Sequence, residues 1–474
     1  MRKITLGFIL ICLAASFASC TKTEYVTVAP EEEVDNSTYT IMMYGCGGSN
    51  LDSSMILNIQ EALLAGASER VNFTGQIKFS KRYQVEETLA GTQRFIVGEP
   101  GAMWYEPVEV LPADLELHNP RNLTDFINWS KAQCPADEYI LILWNHGGAW
   151  SPYDDYKGPS RGVIFDDNNN NECLGLDNLV QGIKDSNTKF KMVYYDACLM
   201  GMIEIVTGLN DCTDYTMCAS HITPGLGGDY NSLIYHLNTS TNFEESMKAY
   251  CHETMSHWEP QGLVLDLMLV NNGKMQPLLD EIKVLSGYMA EVAEIYVDYQ
   301  DDEHSDSIKE AVSAAYVMAI TSCYQYHWGY YDDGTPHYPF FDLQSFVEIM
   351  ANGNVSTYSA KFVDISSRIN RASANAIVCR ELTAPIAHLN LTMGITIVDK
   401  ANWRAFGYSP AYEQLEFHKK TGWGNWLKIN PVMTIGNPNP KSYVNIPDFG
   451  DSSGTTTPVE EEINYLLSLI GKNK

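Results

Sequence analysis

Apolar positions in this chain gather into short solid runs, and several of these end abruptly in glycine or a reactive side chain. Residues 40–44 run into Gly45-Cys46-Gly47-Gly48, residues 139–144 into Asn145-His146-Gly147-Gly148, and residues 191–195 into Asp196-Ala197-Cys198. Short runs without alternation read as strands buried on both faces, the pattern of a parallel sheet. Between them the spacing turns helical. Leu51, Met55, Ile59 and Leu63 fall four apart on one face of a helix over 51–64, and 122–132 is amphipathic with an N-cap at Asn119 or Asn122. Residues 71–79 and 92–97 read as a hairpin-like pair of strands. Helices over 176–183 and 201–209 flank the 191–195 strand, and 214–219 is the next strand. Strand alternating with helix is the α/β pattern.

Beyond residue 275 the texture changes. Long helical stretches cover 275–299, 305–319, 342–350 and 356–376, and the alternation of Leu389, Leu391, Met393 and Ile395 predicts a strand over 387–398. The expected plan is an α/β catalytic domain over 38–274, followed by a mainly helical region, 275–474, packed onto it.

The first residues carry an address. Arg2 and Lys3 precede an apolar stretch, 4–13, too short to span a bilayer, and small residues then lead to Cys20. This resembles a bacterial lipoprotein signal peptide over 1–19, whose removal leaves Cys20 as a lipidated N-terminus. The alternative is an ordinary secretory peptide cut after Ala18 or Ser19; a Cys directly after the small residues favours the lipoprotein. Residues 20–37, with Glu31-Glu32-Glu33, form a solvated tether. The implied location is the bacterial cell envelope, with the outer membrane expected and the lipid on Cys20 as the membrane contact. A formal net charge of −28 argues against nucleic acid as a partner. The chain has eleven Cys, none in a Cys-x-x-Cys pair, so neither a zinc ribbon nor a redox dithiol is supported.

Ligands of open parallel sheets bind outside the carboxyl ends of the strands. His146 and Cys198 stand at two such ends, as a base and a thiol nucleophile facing one cleft would. A helix N-terminus after Cys198 and a neighbouring imidazole would both lower the thiol pKa. Gly147-Gly148 would let backbone amides approach a developing oxyanion. The chemistry this predicts is acyl transfer. Each residue alone is more often a core cysteine or a turn; the pairing at two strand ends makes the case.

Asn145-His146-Gly147-Gly148 and Asp196-Ala197-Cys198-Leu199-Met200-Gly201 resemble the two active-site motifs of the clostripain family of cysteine peptidases. The stretches from Gly45 to Asp52 and from Thr421 to Leu427 fit as well, so the resemblance spans nearly the whole mature chain. It implies a caspase-like αβα sandwich with a mainly parallel central sheet, shared with gingipains and legumains, and a His/Cys dyad that requires no cofactor. By motif, His146 is the general base and acid, Cys198 the nucleophile, and the amides of Gly147 and Cys198 the oxyanion donors. The substrates implied are proteins or peptides cut after Arg or Lys, with Asp196 as the pocket carboxylate. A structural cap on the turn before Cys198 is the other reading of Asp196. The far wall of the pocket departs from the family pattern at His221 and Gly228, where Asp229 is the candidate substitute carboxylate. The alternative from another class is a catalytically idle lipoprotein that keeps the scaffold to bind peptides.

Three further features are weighed. Cys46 is a rival nucleophile without a His-Gly pair tied to it. Asp166, Asn168 and Asn170 would suit calcium, although the segment lacks EF-hand spacing and also reads as a solvated acidic turn. The polar, Gly/Pro-containing segment around Lys157 and Arg161 suits self-cleavage after either residue.

Overall fold

A nine-stranded sheet forms the centre of the computed structural model, which describes residues 35–48, 50–151, 161–301, 307–327, 329–330, 336–337, 340–352, 356–397, 412–429 and 459–472. Its first strands are β1 (Tyr39–Cys46), β2 (Val71–Lys78), β3 (Thr92–Ile96), β4 (Glu109–Leu111) and β5 (Glu138–Trp144). A small separate sheet follows, made of β6 (Gly147–Ser151), β7 (Arg161–Asp166) and β8 (Glu172–Leu174). Strands β9 (Phe190–Asp196), β10 (Thr213–Cys218) and β11 (Asp266–Asn271) return to the central sheet. Short strands β12 (Gln325–Tyr326), β13 (Gly329–Tyr330), β14 (Pro336–His337) and β15 (Phe340–Asp342) lie outside it, before β16 (Ile377–Leu382) rejoins it and β17 (Gly394–Thr396) pairs with β15. The order across the central sheet is β16-β11-β10-β9-β5-β1-β2-β3-β4. The middle strands β10, β9, β5, β1 and β2 are mutually parallel, and antiparallel pairs finish both edges.

The solid apolar runs follow from this position. Along β5, Leu141 and Leu143 face one layer while Ile140 and Ile142 face the other; along β9, Val193 and Tyr195 oppose Met192 and Tyr194. One layer holds α1 (Asp52–Ala65), α5 (Tyr230–Thr239), α6 (Phe243–Trp258) and α13 (Val459–Leu469). The other holds α2 (Pro120–Gln133), α3 (Leu176–Asp185), α4 (Ile203–Gly208), α7 (Gln276–Asp301), α8 (Ser307–Ser322), α9 (Leu343–Ala351), α10 (Ser356–Ala376), α11 (Glu416–Thr421) and α12 (Trp423–Ile429). Strand residues two apart share a face, so a strand between two helical layers is apolar at every position. Asn119 caps α2, its side chain accepting from Arg121 N, with Pro120 opening the helix.

The C-terminal region does more than pack onto a finished domain. Strand β16 pairs antiparallel with β11, and residues 35–474 form one compact unit with no division at residue 275. The run Ile377-Val378-Cys379 follows α10 without a break, which hides it among helical residues. The strand expected over 387–398 shrinks to Gly394–Thr396.

Candidate active site

Strands β5 and β9 pair in parallel with Trp144 opposite Asp196. His146 and Cys198 each lie two residues beyond that rung, on strands spaced ~4.8 Å apart. The Asn145 N–H continues the ladder to the Asp196 carbonyl at 3.4 Å. Both residues line one open cleft of about 520 Å³, with Asp196, Leu51, Trp144 and Pro224 around them.

The turns that carry them are held tightly. The Asn145 side chain accepts from Phe165 N at 2.7 Å and donates to the Cys46 carbonyl at 2.8 Å, clamping the ends of β1 and β7 onto the His146 turn. Leu199 and Ile164 adopt left-handed backbone with φ of 62° and 64°. Such conformations cost energy in side-chain-bearing residues, most of all a β-branched one, and persist where neighbours over-determine them. Here Leu199 N donates to the His221 carbonyl at 3.0 Å, and Ile164 N to the His146 carbonyl at 3.2 Å. At Gly147, a Cβ would stand 2.1 Å from the Cys198 carbonyl oxygen, so only glycine lets the two turns meet.

Nε2 of His146 lies 2.7 Å from Asn50 Oδ1, and burial pulls the imidazole pKa down to about 3. Cys198 is half-buried. Thr223 N donates to its sulfur at 3.2 Å, and the Thr223 hydroxyl lies 3.5 Å away. Burial pushes the thiol pKa up, while the Thr223 contacts oppose the rise. The helix expected to depress it is only Ile203–Gly208 and begins five residues downstream, too short and too far to stabilise a thiolate. Burial thus favours the neutral form of both groups. The His146 carbonyl accepts from Ile164, so the Gly147–Val163 pair is of the kind that does not exchange its own N–H groups, leaving the Gly147 amide out of that ladder.

Asp196 is buried at the end of β9. Its Oδ2 accepts from Gly228 N and from the Tyr230 hydroxyl, both at 2.9 Å, and burial lifts its pKa to about 6. Glu61 lies on the same side; burial raises it to about 7, against hydrogen bonds from Tyr230 N and Asn58. Asn58 also accepts from Trp144 Nε1 at 2.8 Å, tying α1 to the end of β5.

Other expectations are corrected. Asp229 caps α5, accepting from Ser232 N at 3.0 Å, and is not among the residues lining the cleft. His221 is no pocket wall either. Its Nδ1 lies 2.6 Å from Asp266 Oδ1 and its Nε2 2.7 Å from the Tyr324 hydroxyl, while Arg380 pairs with Asp266 Oδ2 at 2.8 Å. Gly228 contributes its amide to Asp196, and a Cβ there would stand 2.1 Å from the Tyr250 hydroxyl. Cys46 is buried with its thiol on the Phe165 carbonyl, away from solvent.

The calcium reading does not fit the residues. Asp166 is fully buried and its Oδ2 sits 2.6 Å from Lys78 Nζ, so a cation of the chain itself already occupies the carboxylate. Asn168 N donates back to Asp166, and Asn170 takes left-handed backbone at the end of the turn. Among the described residues no cluster of His, Cys, Asp and Glu suits a metal. Lys157 and Cys20 lie outside the described residues, whereas Arg161 opens β7, paired with Ser151. Asn50, Thr223 and Tyr230 are site residues the sequence reading assigned no role. Asn50 sits in the Gly45–Asp52 stretch at the end of β1, and Thr223 and Tyr230 sit in the 220–230 segment where the resemblance puts the far wall of the pocket.

The model of the clostripain family matches residues 103–429, which include both turns. Clostripain of Hathewaya histolytica is 22% identical over 373 residues, covering 70% of this chain and 69% of that protein. Among solved structures, a secreted C11 cysteine protease from Bacteroides thetaiotaomicron aligns with a TM-score of 0.57 at 15% identity, over 81% of this chain and 99% of its own. An inactive zymogen C11 protease from Parabacteroides distasonis gives 0.57 and 15% over 82% and 99%. At these identities the structural likeness establishes the caspase-like fold.

Proposed function

The chain belongs to the clostripain family of cysteine peptidases, and on that premise we propose that it is an exported endopeptidase that cuts after basic residues with His146 and Cys198 as its dyad. The observation that carries this reading is the β5–β9 register, which brings the base and the thiol to equivalent positions over one cleft.

In the proposed reaction the imidazole takes the Cys198 proton as sulfur bonds to the scissile carbonyl carbon. A neutral pair at rest means this transfer accompanies attack. The amides of Gly147 and Cys198 hold the oxyanion. The imidazolium then protonates the leaving amine as the C–N bond breaks, leaving a thioester. Water, deprotonated by His146, attacks the thioester, and the thiol regains its proton on release of the acid.

Asp196 supplies the charge for a basic side chain, with Glu61 adding to the negative field behind it. A cation entering the cleft compensates a carboxylate whose burial is otherwise costly. Anchoring through lipid on Cys20 rests on the leader pattern, and loss of fatty-acid labelling in Cys20→Ala tests it.

A panel of peptide amides varied at the cleaved position tests the main reading. Turnover confined to Lys and Arg, abolished in Cys198→Ala, supports it. Turnover that survives Cys198→Ala removes the nucleophile assignment, and indifference to charge removes the basic specificity.

A further inference from the structure

We propose that the specificity site takes lysine in preference to arginine, because Asp196 has only one carboxylate oxygen to offer a substrate and Tyr230 is the residue that withholds the other. This deepens the basic-residue reading above and rests on it.

Each carboxylate oxygen has two lone-pair directions. On Oδ2 of Asp196 both are taken, one by the Gly228 amide and one by the Tyr230 hydroxyl, each at 2.9 Å. Neither donor is free to leave. Gly228 N belongs to a backbone wedged against the Tyr194 and Tyr250 hydroxyls, where a Cβ would stand 2.6 and 2.1 Å away. Tyr230 is fully buried, and its own N–H is held by Glu61. The Tyr194 hydroxyl lies close enough to favour the charged carboxylate but makes no hydrogen bond of its own. Oδ1 is what remains for the cleft that Asp196 lines.

The two basic side chains use a carboxylate differently. An ammonium is a point charge that is satisfied by one oxygen and can turn its other donors to water, whereas a guanidinium gains its advantage by gripping both oxygens at once. At Asp196 the fork would meet one oxygen already saturated by the protein. A guanidinium would then keep one strong bond and leave a partly desolvated N–H facing an occupied acceptor. Leu51, Trp144 and Pro224 line the approach and suit the apolar stem of either residue, so the discrimination falls on the head group.

The test compares kcat/KM for two peptide amides identical except for Lys or Arg at the cleaved position. Lysine is expected to lead by on the order of tenfold, the value of one charge-assisted contact. Equal rates, or a lead for arginine, overturn the inference while leaving the basic-residue reading intact. Tyr230→Phe frees one lone pair on Oδ2 without changing shape, and should raise the Arg/Lys ratio several-fold. A folded Tyr230→Phe with an unchanged ratio also overturns it. Cleavage after Gln or Met with neither basic peptide cut overturns the underlying reading instead. Should Tyr230→Phe not fold, the wild-type ratio alone decides.

Discussion

Nε2 of His146 and Oδ1 of Asn50 lie 2.7 Å apart, across the ends of β5 and β1. An amide oxygen accepts, so this contact favours the tautomer with the ring proton on Nε2 and Nδ1 unprotonated. For the proposed base, Asn50 would act as a positioning residue that sets the tautomer and the tilt of the ring. Asn50→Ala should lower kcat about tenfold with little change in KM, as expected when an orienting partner is lost. Asn50→Asp should restore part of the rate and move the acidic limb of the kcat/KM profile to higher pH, since an adjacent carboxylate favours imidazolium. A profile that stays put in Asn50→Asp would mean that this contact does not govern the base.

Asp196 exchanges stability for charge. Its folded pKa is about 6 against an ordinary 3.8, so the folded protein holds the proton more tightly than the unfolded chain. The ionised carboxylate therefore destabilises the fold above pH 6, and this cost fades as pH falls towards 4. At 1.36 kcal/mol per unit the cost is ~3 kcal/mol at neutral pH. Asp196→Asn should raise the urea midpoint at pH 7.5 and lose that advantage at pH 4. In the wild type, cleavage after basic residues should fall as pH drops through about 6. Glu61, raised to about 7, faces the same region and should broaden that fall. A mutant that is no more stable at pH 7.5 would contradict the burial argument.

Gly147 and Gly148 should differ sharply although they are neighbours. A Cβ on Gly147 meets the Cys198 carbonyl oxygen at 2.1 Å, a backbone atom of the nucleophile turn that has no room to yield. On Gly148 the nearest atom is the tip of the Phe165 ring at 3.3 Å. Gly147→Ala should cost ~1–3 kcal/mol in a thermal melt and at least a hundredfold in kcat/KM. Gly148→Ala should keep most of both, and equal losses in the two variants would count against a specific contact between the turns.

Lys78 and Asp166 form an ion pair with neither side chain exposed, and Lys78 also donates to the Leu115 carbonyl. Lys78→Met strands a buried carboxylate and should cost about 3–5 kcal/mol. Lys78→Met with Asp166→Asn should recover a large part of that loss, a coupling that a double-mutant cycle in urea measures directly. Additive losses would contradict it.

What the chain discloses by itself depends on distance along it. The strands β1, β5 and β9 are legible because a strand covered on both faces must be apolar throughout. The proposed dyad is legible because each of its residues stands where such a run stops. Asp229 and His221 were misplaced because their partners decide their roles. Asp229 carries a local mark, standing three residues before Ser232 as a helix cap does, whereas the carboxylate that holds His221 is Asp266, far along the chain. Strand β16 was missed for a similar reason: its strand character comes from pairing with β11, more than a hundred residues earlier. The helix expected over 201–209 starts later, at Ile203, because Met202 takes extended backbone and bridges to Gly394, nearly two hundred residues on.

Every strand on one side of the β5–β9 seam precedes Ser151, and every strand on the other side follows Arg161. The sheet is thus two contiguous blocks of chain laid edge to edge, with His146 belonging to one and Cys198 to the other. A break anywhere between those two residues would turn one polypeptide into a heterodimer whose catalytic centre is its subunit interface. Neither fragment would carry a complete centre, and denaturing electrophoresis would show two bands where gel filtration shows one particle. The enzyme would then be as durable as the β5–β9 pairing, the contacts of β7 with the His146 turn and the two helical layers that clasp them.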